Sequence, residues 1–299
     1  MEVVKKTGDM KDRVCLLKAR GQTIGFVPTM GALHEGHLSL IRRARAENDS
    51  VVLSIFVNPV QFDRKDDFLS YPRQLERDLE VAFSEGVDIV FAPGAGEIYP
   101  EGYSTYVEVV GDLTSGLCGA SRPGHFRGVT TVVTKLFNIV RPDRAYFGQK
   151  DFQQAAVIKG LVRDLEMDVD VVILPTVREA DGLAISSRNQ YLTDEERQMA
   201  LSIHKALERA TELFASGERD TKIFVREMRD ILNRAGVFAI DYVSIVDPGT
   251  LEELDEARPH HGAVAVIAAW VGSTRLIDNM ALGVGSEPQS FLHRKIQTV

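Results

Sequence analysis

The 299-residue chain has two cysteines, one tryptophan and no excess of basic charge. Cys15 and Cys118 form no CxxC and no other metal-ligand spacing. That argues against a disulfide framework and a cysteine-built metal centre. Formal charge is −8, from 35 basic and 43 acidic side chains. An extended nucleic-acid-binding face normally shows as net basic charge or a basic stripe, so nucleic acid is not the expected partner. A small cationic pocket for an anionic substrate remains compatible with that balance. The most apolar run, Ala263–Val271, is far too short to span a bilayer. The first fifteen residues carry four basic and three acidic side chains and no apolar segment, unlike a secretory signal. The expectation is a soluble, cytoplasmic protein with no membrane partner.

What is present is enough for a substantial core: 44% of residues are hydrophobic. The length suggests two domains or one large one. The stretch that organises the rest is 24–40, IGFVPTMGALHEGHLSL. It reads as a short apolar strand, a Pro/Gly-broken turn and the start of an amphipathic helix. His34 and His37 sit where turn becomes helix, and their i, i+3 spacing puts both rings on one side of the first turn. A helix N-terminus adds free backbone N–H groups and the positive end of the dipole. Together these suit a phosphate chain. Gly31 and Gly36 remove side chains where a ligand approaches the backbone.

Further along, Ser50–Val57 is a nearly continuous apolar run, as in a strand buried on both faces of a parallel sheet. Asn58 and Gln61 fall just beyond it. Asp63–Tyr71 reads as a polar loop, Arg73–Ser84 as a helix opened by Pro72, and Val87–Phe91 as a strand. Thr105–Val110 reads as a short strand and Val129–Val140 as an apolar helix. Arg144–Phe147 and Val169–Leu174 are strands flanking a helix at Phe152–Leu165. Strands alternating with helices predict an α/β fold: a doubly wound, Rossmann-like parallel sheet over 1–176. Ligands in such sheets bind beyond the strands' carboxyl ends. Thr193 and Glu196 make a capping box for a long helix to about Ala215. A helix at 221–234, a strand at 240–246, a short helix after Thr250 and strands at 263–270 and 273–278 predict a smaller C-terminal α+β domain, 177–283. Residues 284–299 read as a poorly ordered tail.

Each motif has a plain alternative. His-Glu-Gly-His has its histidines three apart, whereas the zinc-protease signature needs four, and no third ligand pattern stands nearby. Two satisfied surface histidines are the ordinary reading of an isolated pair, but here a strand, a glycine turn and a helix start frame them. Gly148-Gln-Lys-Asp151 follows a strand and opens a helix. It reads either as a solvated cap with Asp151 as N-cap or as Lys150 reaching a phosphate. Ile185-Ser-Ser-Arg188 is either a linker or, with hydroxyls, backbone N–H groups and a guanidinium, a triphosphate-binding loop. Asn58 and Gln61 suit a small polar substrate. Tyr71 and His125 are site candidates by position alone. Asp78 shows no ligand spacing, and no protein metal site is assigned.

Taken together, five blocks resemble those of the pantoate–β-alanine ligase (pantothenate synthetase) family, in its order. They are Pro28–His37, Phe56–Phe62, Arg122–Arg127, Phe147–Asp151 with Gln154, and Asp181–Asn189, and the likeness runs from about residue 2 to 280. The two histidines match the HIGH motif of the wider nucleotidyltransferase superfamily. The Ser-Ser-Arg loop stands where class I aminoacyl-tRNA synthetases carry Lys-Met-Ser-Lys-Ser.

The resemblance implies ATP-dependent condensation of (R)-pantoate with β-alanine to pantothenate, AMP and pyrophosphate through pantoyl adenylate, with Mg²⁺ on the phosphates and a homodimer. It implies that His34, His37, Lys150, Ser187 and Arg188 are catalytic. It places Met30, Gly31, Gly148, Asp151, Val177, Ile185 and Ser186 with them at ATP. Gln61 and Gln154 would hold pantoate, with Asn58, Arg122 and His125 also on the substrate side. The smaller domain is expected to close over ATP. The nearest rival is another HxGH small-molecule nucleotidyltransferase; an RNA-binding relative and a non-catalytic scaffold are further off.

Overall fold

A computed structural model describes residues 1–260 and 262–283. The terminal tail, 284–299, and His261 lie outside the described residues. In chain order the strands are β1 (Glu2–Val4), β2 (Ile24–Thr29), β3 (Ser50–Ile55), β4 (Ile89–Phe91), β5 (Arg144–Gly148), β6 (Asp170–Leu174), β7 (Ala239–Val246), β8 (Ala263–Val271) and β9 (Thr274–Leu282). The helices are α1 (Thr7–Ala19), α2 (Glu35–Glu47), α3 (Lys65–Ser70), α4 (Leu75–Ser84), α5 (Ala95–Ile98), α6 (Asp112–Ser115), α7 (Cys118–Ser121), α8 (His125–Val140), α9 (Phe152–Asp164), α10 (Asp194–Ala215) and α11 (Thr221–Arg234).

The first six strands form one parallel sheet in the order β1-β4-β3-β2-β5-β6. The chain steps outward from β2 to β3 and β4, then crosses to β5 and β6. The strand order therefore reverses between β2 and β5, and the ligand crevice of such a sheet opens beyond the carboxyl ends there. Val27, Val51, Leu53, Val90 and Tyr146 pack from the sheet onto Leu40, Ile41 and Ala44 of α2. Burial on both faces is why β2 and β3 carry apolar runs rather than an alternation. The last three strands form an antiparallel sheet, β7-β8-β9, backed by Ala200, Ile203, Leu207 and Phe214 of α10 and Phe224, Met228 and Leu232 of α11. The expected α/β class, a parallel sheet and a second small domain, is thus the observed one.

The chain divides into two compact units. The first comprises 1–109, 122–148 and 157–174; the second comprises 110–121, 149–156 and 175–299. The split crosses α9, with Phe152–Ala156 in the second unit and the remainder in the first.

Four local expectations fail. No strand forms at Thr105–Val110, because the backbone of Val107 is bonded to the Thr130 and Thr131 hydroxyls of α8 instead of to a strand. The helix at 73–84 starts two residues late, at Leu75, because Arg73 turns back to the Tyr71 carbonyl. The supposed loop 63–71 contains the short helix α3. Residues after Thr250 form no helix; the Asp247 carboxylate accepts the Gly249 and Thr250 N–H groups and closes a turn.

Candidate functional site

In the first unit the chain leaves β2 through two consecutive left-handed residues, Gly31 (φ +81°) and Ala32 (φ +51°). The second is strained for a residue with a Cβ. Asp78, buried on α4, holds it there. Its carboxylate oxygens accept the N–H of Ala32 at 2.9 Å and of Leu33 at 2.8 Å. A Cβ on Gly31 would lie 2.8 Å from the same carboxylate, so position 31 needs glycine for conformation and for room.

His34 then caps α2 with an extended backbone. Its N–H donates to Nδ1 of His37 at 3.3 Å. The acceptor role at Nδ1 puts the proton of neutral His37 on Nε2. The two rings stack at 4.0 Å between centroids. A Cβ at Gly36 would come within 3.0 Å of His34 Cε1. The glycine between the histidines is therefore the space into which the first ring folds. Among the described residues the N–H groups of Glu35 and Gly36 have no hydrogen-bond partner, as the first turn of a helix dictates. Two imidazoles beside free amides and a positive dipole end form a site for negative oxygen.

A second cluster follows β3. Asn58 and Gln61 flank the tight turn Pro59–Gln61, and both are buried. Asn58 Nδ2 donates to Gln61 Oε1 at 2.9 Å and to the Gly128 carbonyl at 3.1 Å. Gln61 Nε2 points to Met30 Sδ at 3.3 Å, which ties this cluster to the turn after β2. The Tyr99 hydroxyl donates to Asn58 Oδ1 at 2.8 Å; burial raises its pKa and keeps the phenol protonated. A Cβ at Gly128 would stand 2.6 Å from the Gln61 backbone, so glycine lets α8 seat directly on the turn.

Arg122 and His125 buttress this turn. His125 Nδ1 lies 2.8 Å from the Gln61 carbonyl oxygen, which can only accept. Nδ1 therefore carries a proton, and Nε2 takes the Arg122 guanidinium N–H at 3.2 Å. Arg122 also donates to Asp63 at 2.9 Å. Burial alone would raise the Asp63 carboxyl, but the Arg122 charge and hydrogen bond outweigh it and hold Asp63 below its ordinary value. Tyr71 is buried against the Phe62 ring.

The second unit holds the remaining candidates. Lys150 lies in the turn Gln149–Asp151, half-buried, and no carboxylate pairs with it among the described residues. The turn is pinned by Asn279 of β9, whose amide donates to the Gln149 and Lys150 carbonyls at 2.9 and 3.0 Å. Asp151 stays exposed within that turn and precedes α9, which continues it without a break. Gln154 is half-buried on α9. Its neighbour Gln153 is the structural one, bonded to the Leu113 and Gly116 carbonyls and to the Cys118 N–H.

Val177 to Ser187 is no slack linker. It is a small hairpin closed by Ile185 N–H to Val177 O at 3.0 Å and by the Arg178–Ala184 bridge. Arg178 fixes it to the buried Asp278 through two bonds of 2.6 and 3.1 Å. Arg197 of α10 grips Glu179 and Asp181. The Ser186 hydroxyl accepts the Arg188 N–H at 3.2 Å and starts the turn Ser187–Tyr191.

Sequence patterns alone missed Asp78, Tyr99, Arg178 and Asn279. Each acts on a partner 41 to 130 residues away, and no local spacing reports such a pair.

Comparison with known proteins identifies the family. The sequence model described as Pantoate-beta-alanine ligase matches residues 2–281. The pantothenate synthetase of Moorella thermoacetica is 56% identical over 284 residues, covering 95% of this chain and 99% of its own. That of Thermotoga petrophila is 54% identical over 283 residues, covering 95% and 100%. The crystal structure of pantothenate synthetase from Thermus thermophilus superposes with a TM-score of 0.89 at 46% identity, over 94% of this chain and 99% of that one. The pantoate-beta-alanine ligase of Francisella tularensis, complexed with beta-gamma ATP and beta-alanine, gives 0.79 at 36% identity, over 93% and 97%.

Proposed function

The chain belongs to the pantoate–β-alanine ligase family, and we propose that its two sets of site residues serve successive demands of one reaction. The enzyme is a carbon–nitrogen ligase that joins pantoate to β-alanine and binds ATP. In our reading a pantoate carboxylate oxygen attacks the α-phosphorus of ATP. The bond to the β-phosphate breaks and pyrophosphate leaves. The β-alanine amine then attacks the acyl carbon of pantoyl adenylate, the carbon–oxygen bond to AMP breaks, and the amine proton passes to solvent.

The first step brings an anion to a polyanion, so its barrier is largely electrostatic. His34, His37 and the first amides of α2 supply donors where charge gathers on the α-phosphoryl oxygens. Removing one such donor typically costs about 2.7–4 kcal/mol. Lys150, Ser187 and Arg188 neutralise the leaving pyrophosphate. Met30, Gly31, Gly148, Asp151, Val177, Ile185 and Ser186 accompany them at the nucleotide. Gln61, held by Asn58, and Gln154 orient pantoate, with Gln61 also meeting β-alanine. Arg122 and His125 serve this side by fixing Gln61. Positioning and charge carry the catalysis, with no covalent enzyme intermediate.

Mg²⁺ accompanies ATP. Among the described residues no group of three or more His, Cys, Asp or Glu side chains could hold a metal. In this reading the cation would sit with the phosphates of ATP, and the roles above do not depend on it. The reading includes a cytoplasmic homodimer; among the described residues no helix is long and apolar enough to cross a membrane.

The observation that carries this reading is the His34–His37 stack at the free N-terminus of α2, with the buried Asn58–Gln61 pair tied to it through Met30. Isotope tracing tests it. With pantoate labelled by ¹⁸O in its carboxylate, one label should appear in AMP, because the attacking oxygen stays on phosphorus when the amide forms. Unlabelled AMP alongside labelled pantothenate would rule the adenylate out.

A further inference from the structure

Glu179 lies on the Val177–Ser187 hairpin of the second unit, and its two carboxylate oxygens are committed to different elements. Oε2 accepts from the Arg197 guanidinium of α10 at 2.7 Å, and Oε1 accepts from Asn189 Nδ2 at 3.0 Å. Asn189 directly follows Arg188 in the turn Ser187–Tyr191. The same Nδ2 donates to the Ala184 carbonyl at 3.1 Å. A carboxylate and a carbonyl can only accept, so the Asn189 amide has one permitted orientation. That orientation leaves its Oδ1 buried with no hydrogen-bond partner among the described residues. A buried acceptor left open is costly and rare. What the orientation secures is a tie between the turn and both arms of the hairpin.

The turn also carries local bonds. The Asn189 N–H donates to the Ser186 carbonyl at 3.0 Å, the Arg188 N–H to Ser186 Oγ at 3.2 Å and the Leu192 N–H to the Asn189 carbonyl at 3.2 Å. These shape the turn without placing it on the hairpin. The Asn189 side chain does that.

We propose that Glu179 is a positioning residue for adenylate formation: anchored by Arg197, it sets through Asn189 where Ser187 and Arg188 meet the phosphates. This rests on the preceding reading, in which Ser187 and Arg188 neutralise the leaving pyrophosphate, and supplies what holds them.

Charge makes Arg197 part of the same device. Glu179 and Asp181 are two carboxylates on a hairpin that receives a polyanion, and each alone would repel it. Arg197 Nη2 reaches both, at 2.7 and 2.5 Å. It fixes Glu179 and offsets the negative charge in one contact. Arg178 holds the hairpin separately, through the buried Asp278. Loss of Glu179 should therefore free the turn and leave the hairpin in place.

Half-reaction kinetics with the full chain test the assignment. Pyrophosphate release from ATP and pantoate reads the first step. Pantothenate formation from added pantoyl adenylate and β-alanine reads the second. Glu179→Ala should slow the first step by about tenfold and raise the KM for ATP about fivefold, with the KM for pantoate and the second step within about twofold of wild type. Glu179→Gln keeps an oxygen for Asn189 and should recover most of that loss. Asn189→Asp turns the donor into an acceptor facing two others and should do at least as much harm as Glu179→Ala. Arg197→Ala loosens Glu179 and uncovers both carboxylates, so it should raise the KM for ATP more than Glu179→Ala does. In an Arg188→Ala background Glu179→Ala should add about twofold or less, because the guanidinium that it places is gone. Should Glu179→Ala fail to fold, Asn189→Ala carries the same comparison. Equal losses in both half-reactions would make Glu179 a general support of the fold and overturn the proposal. So would wild-type pyrophosphate release in a folded Glu179→Ala protein, or fully multiplicative losses with Arg188→Ala. Wild-type pyrophosphate release in Arg188→Ala would remove the role of Arg188 itself, and this proposal with it.

Discussion

The carboxylate of Asp78 holds the backbone N–H of Leu33 at 2.8 Å, and its other oxygen holds Ala32 at 2.9 Å. One buried side chain thus fixes the turn that delivers His34 and His37 to the start of α2. Asp78→Ala should leave two N–H groups unpaired beside a strained Ala32, costing about 2–4 kcal/mol. Asp78→Asn keeps one acceptor oxygen and should fall between. If Asp78 positions the turn, kcat for adenylate formation should fall in the order wild type, Asn, Ala, while β-alanine attack on added pantoyl adenylate changes less. A loss of thermal stability with unchanged kcat would make Asp78 structural only.

Gly36 yields a prediction in which stability and activity part company. Alanine is the better helix former by about 1 kcal/mol, and φ at Gly36 lies in no left-handed region. Gly36→Ala should therefore be neutral or slightly stabilising in a thermal melt. Its Cβ would press on the His34 ring at 3.0 Å and turn it off His37. Adenylate formation should drop by about tenfold or more, since small misplacements at a reacting centre are costly. Full activity in a well-folded Gly36→Ala protein would mean that the ring stack has no part in the chemistry.

These cases show what was legible in the sequence and what was not. The doubly wound sheet was legible because two-sided burial leaves continuous apolar runs in β2 and β3. The turn after β2 was legible because its requirements are local: glycine for room at 36, two imidazoles three residues apart at 34 and 37, and a helix start. The Thr193–Glu196 capping box was readable for the same reason. Asp78, Asn279 and Arg178 were not, because each stabilises a loop from a distant element and nothing near it in sequence differs from an ordinary surface polar residue. Thr105–Val110 misled for a related reason. Its β-propensity is real, but two threonines of α8 occupy the bonds that a neighbouring strand would make.

The Asp63–Arg122–His125 chain predicts a particular acid sensitivity. Arg122 holds the Asp63 carboxyl below its ordinary value of 3.8. A depressed acid stabilises the fold fully above its unfolded pKa and loses that contribution as pH falls through the lower folded value. The ion pair should therefore contribute at pH 5 and above and fade below about pH 4, by ~1 kcal/mol for a partly exposed pair. Arg122→Ala should lower the melting temperature at pH 6 and flatten its fall between pH 5 and 3. Because Arg122 also orients His125, this variant should raise the KM for pantoate more than that for ATP. An unchanged acid profile would show that the pair contributes nothing to stability, and an unchanged KM for pantoate that Gln61 needs no such support.

Lys150 and Asn279 separate charge from placement at the second set of residues. Lys150 presents a half-buried ammonium with no paired carboxylate among the described residues, a costly arrangement unless an anion arrives. Lys150→Ala removes the charge outright. Pyrophosphate release should fall by about 10²–10³ with little change in the melt. Asn279→Ala leaves the ammonium in place and frees the two carbonyls that its amide now holds. The turn should then wander, so kcat falls by about tenfold and the melt by a few degrees. Combining the two should cost little more in activity than Lys150→Ala alone, because in the proposed reading Asn279 would act on ATP only through the lysine whose turn it pins. Strictly multiplicative losses would give Asn279 a contact with the nucleotide of its own. Near-wild-type pyrophosphate release in Lys150→Ala would remove the lysine from the catalytic set altogether.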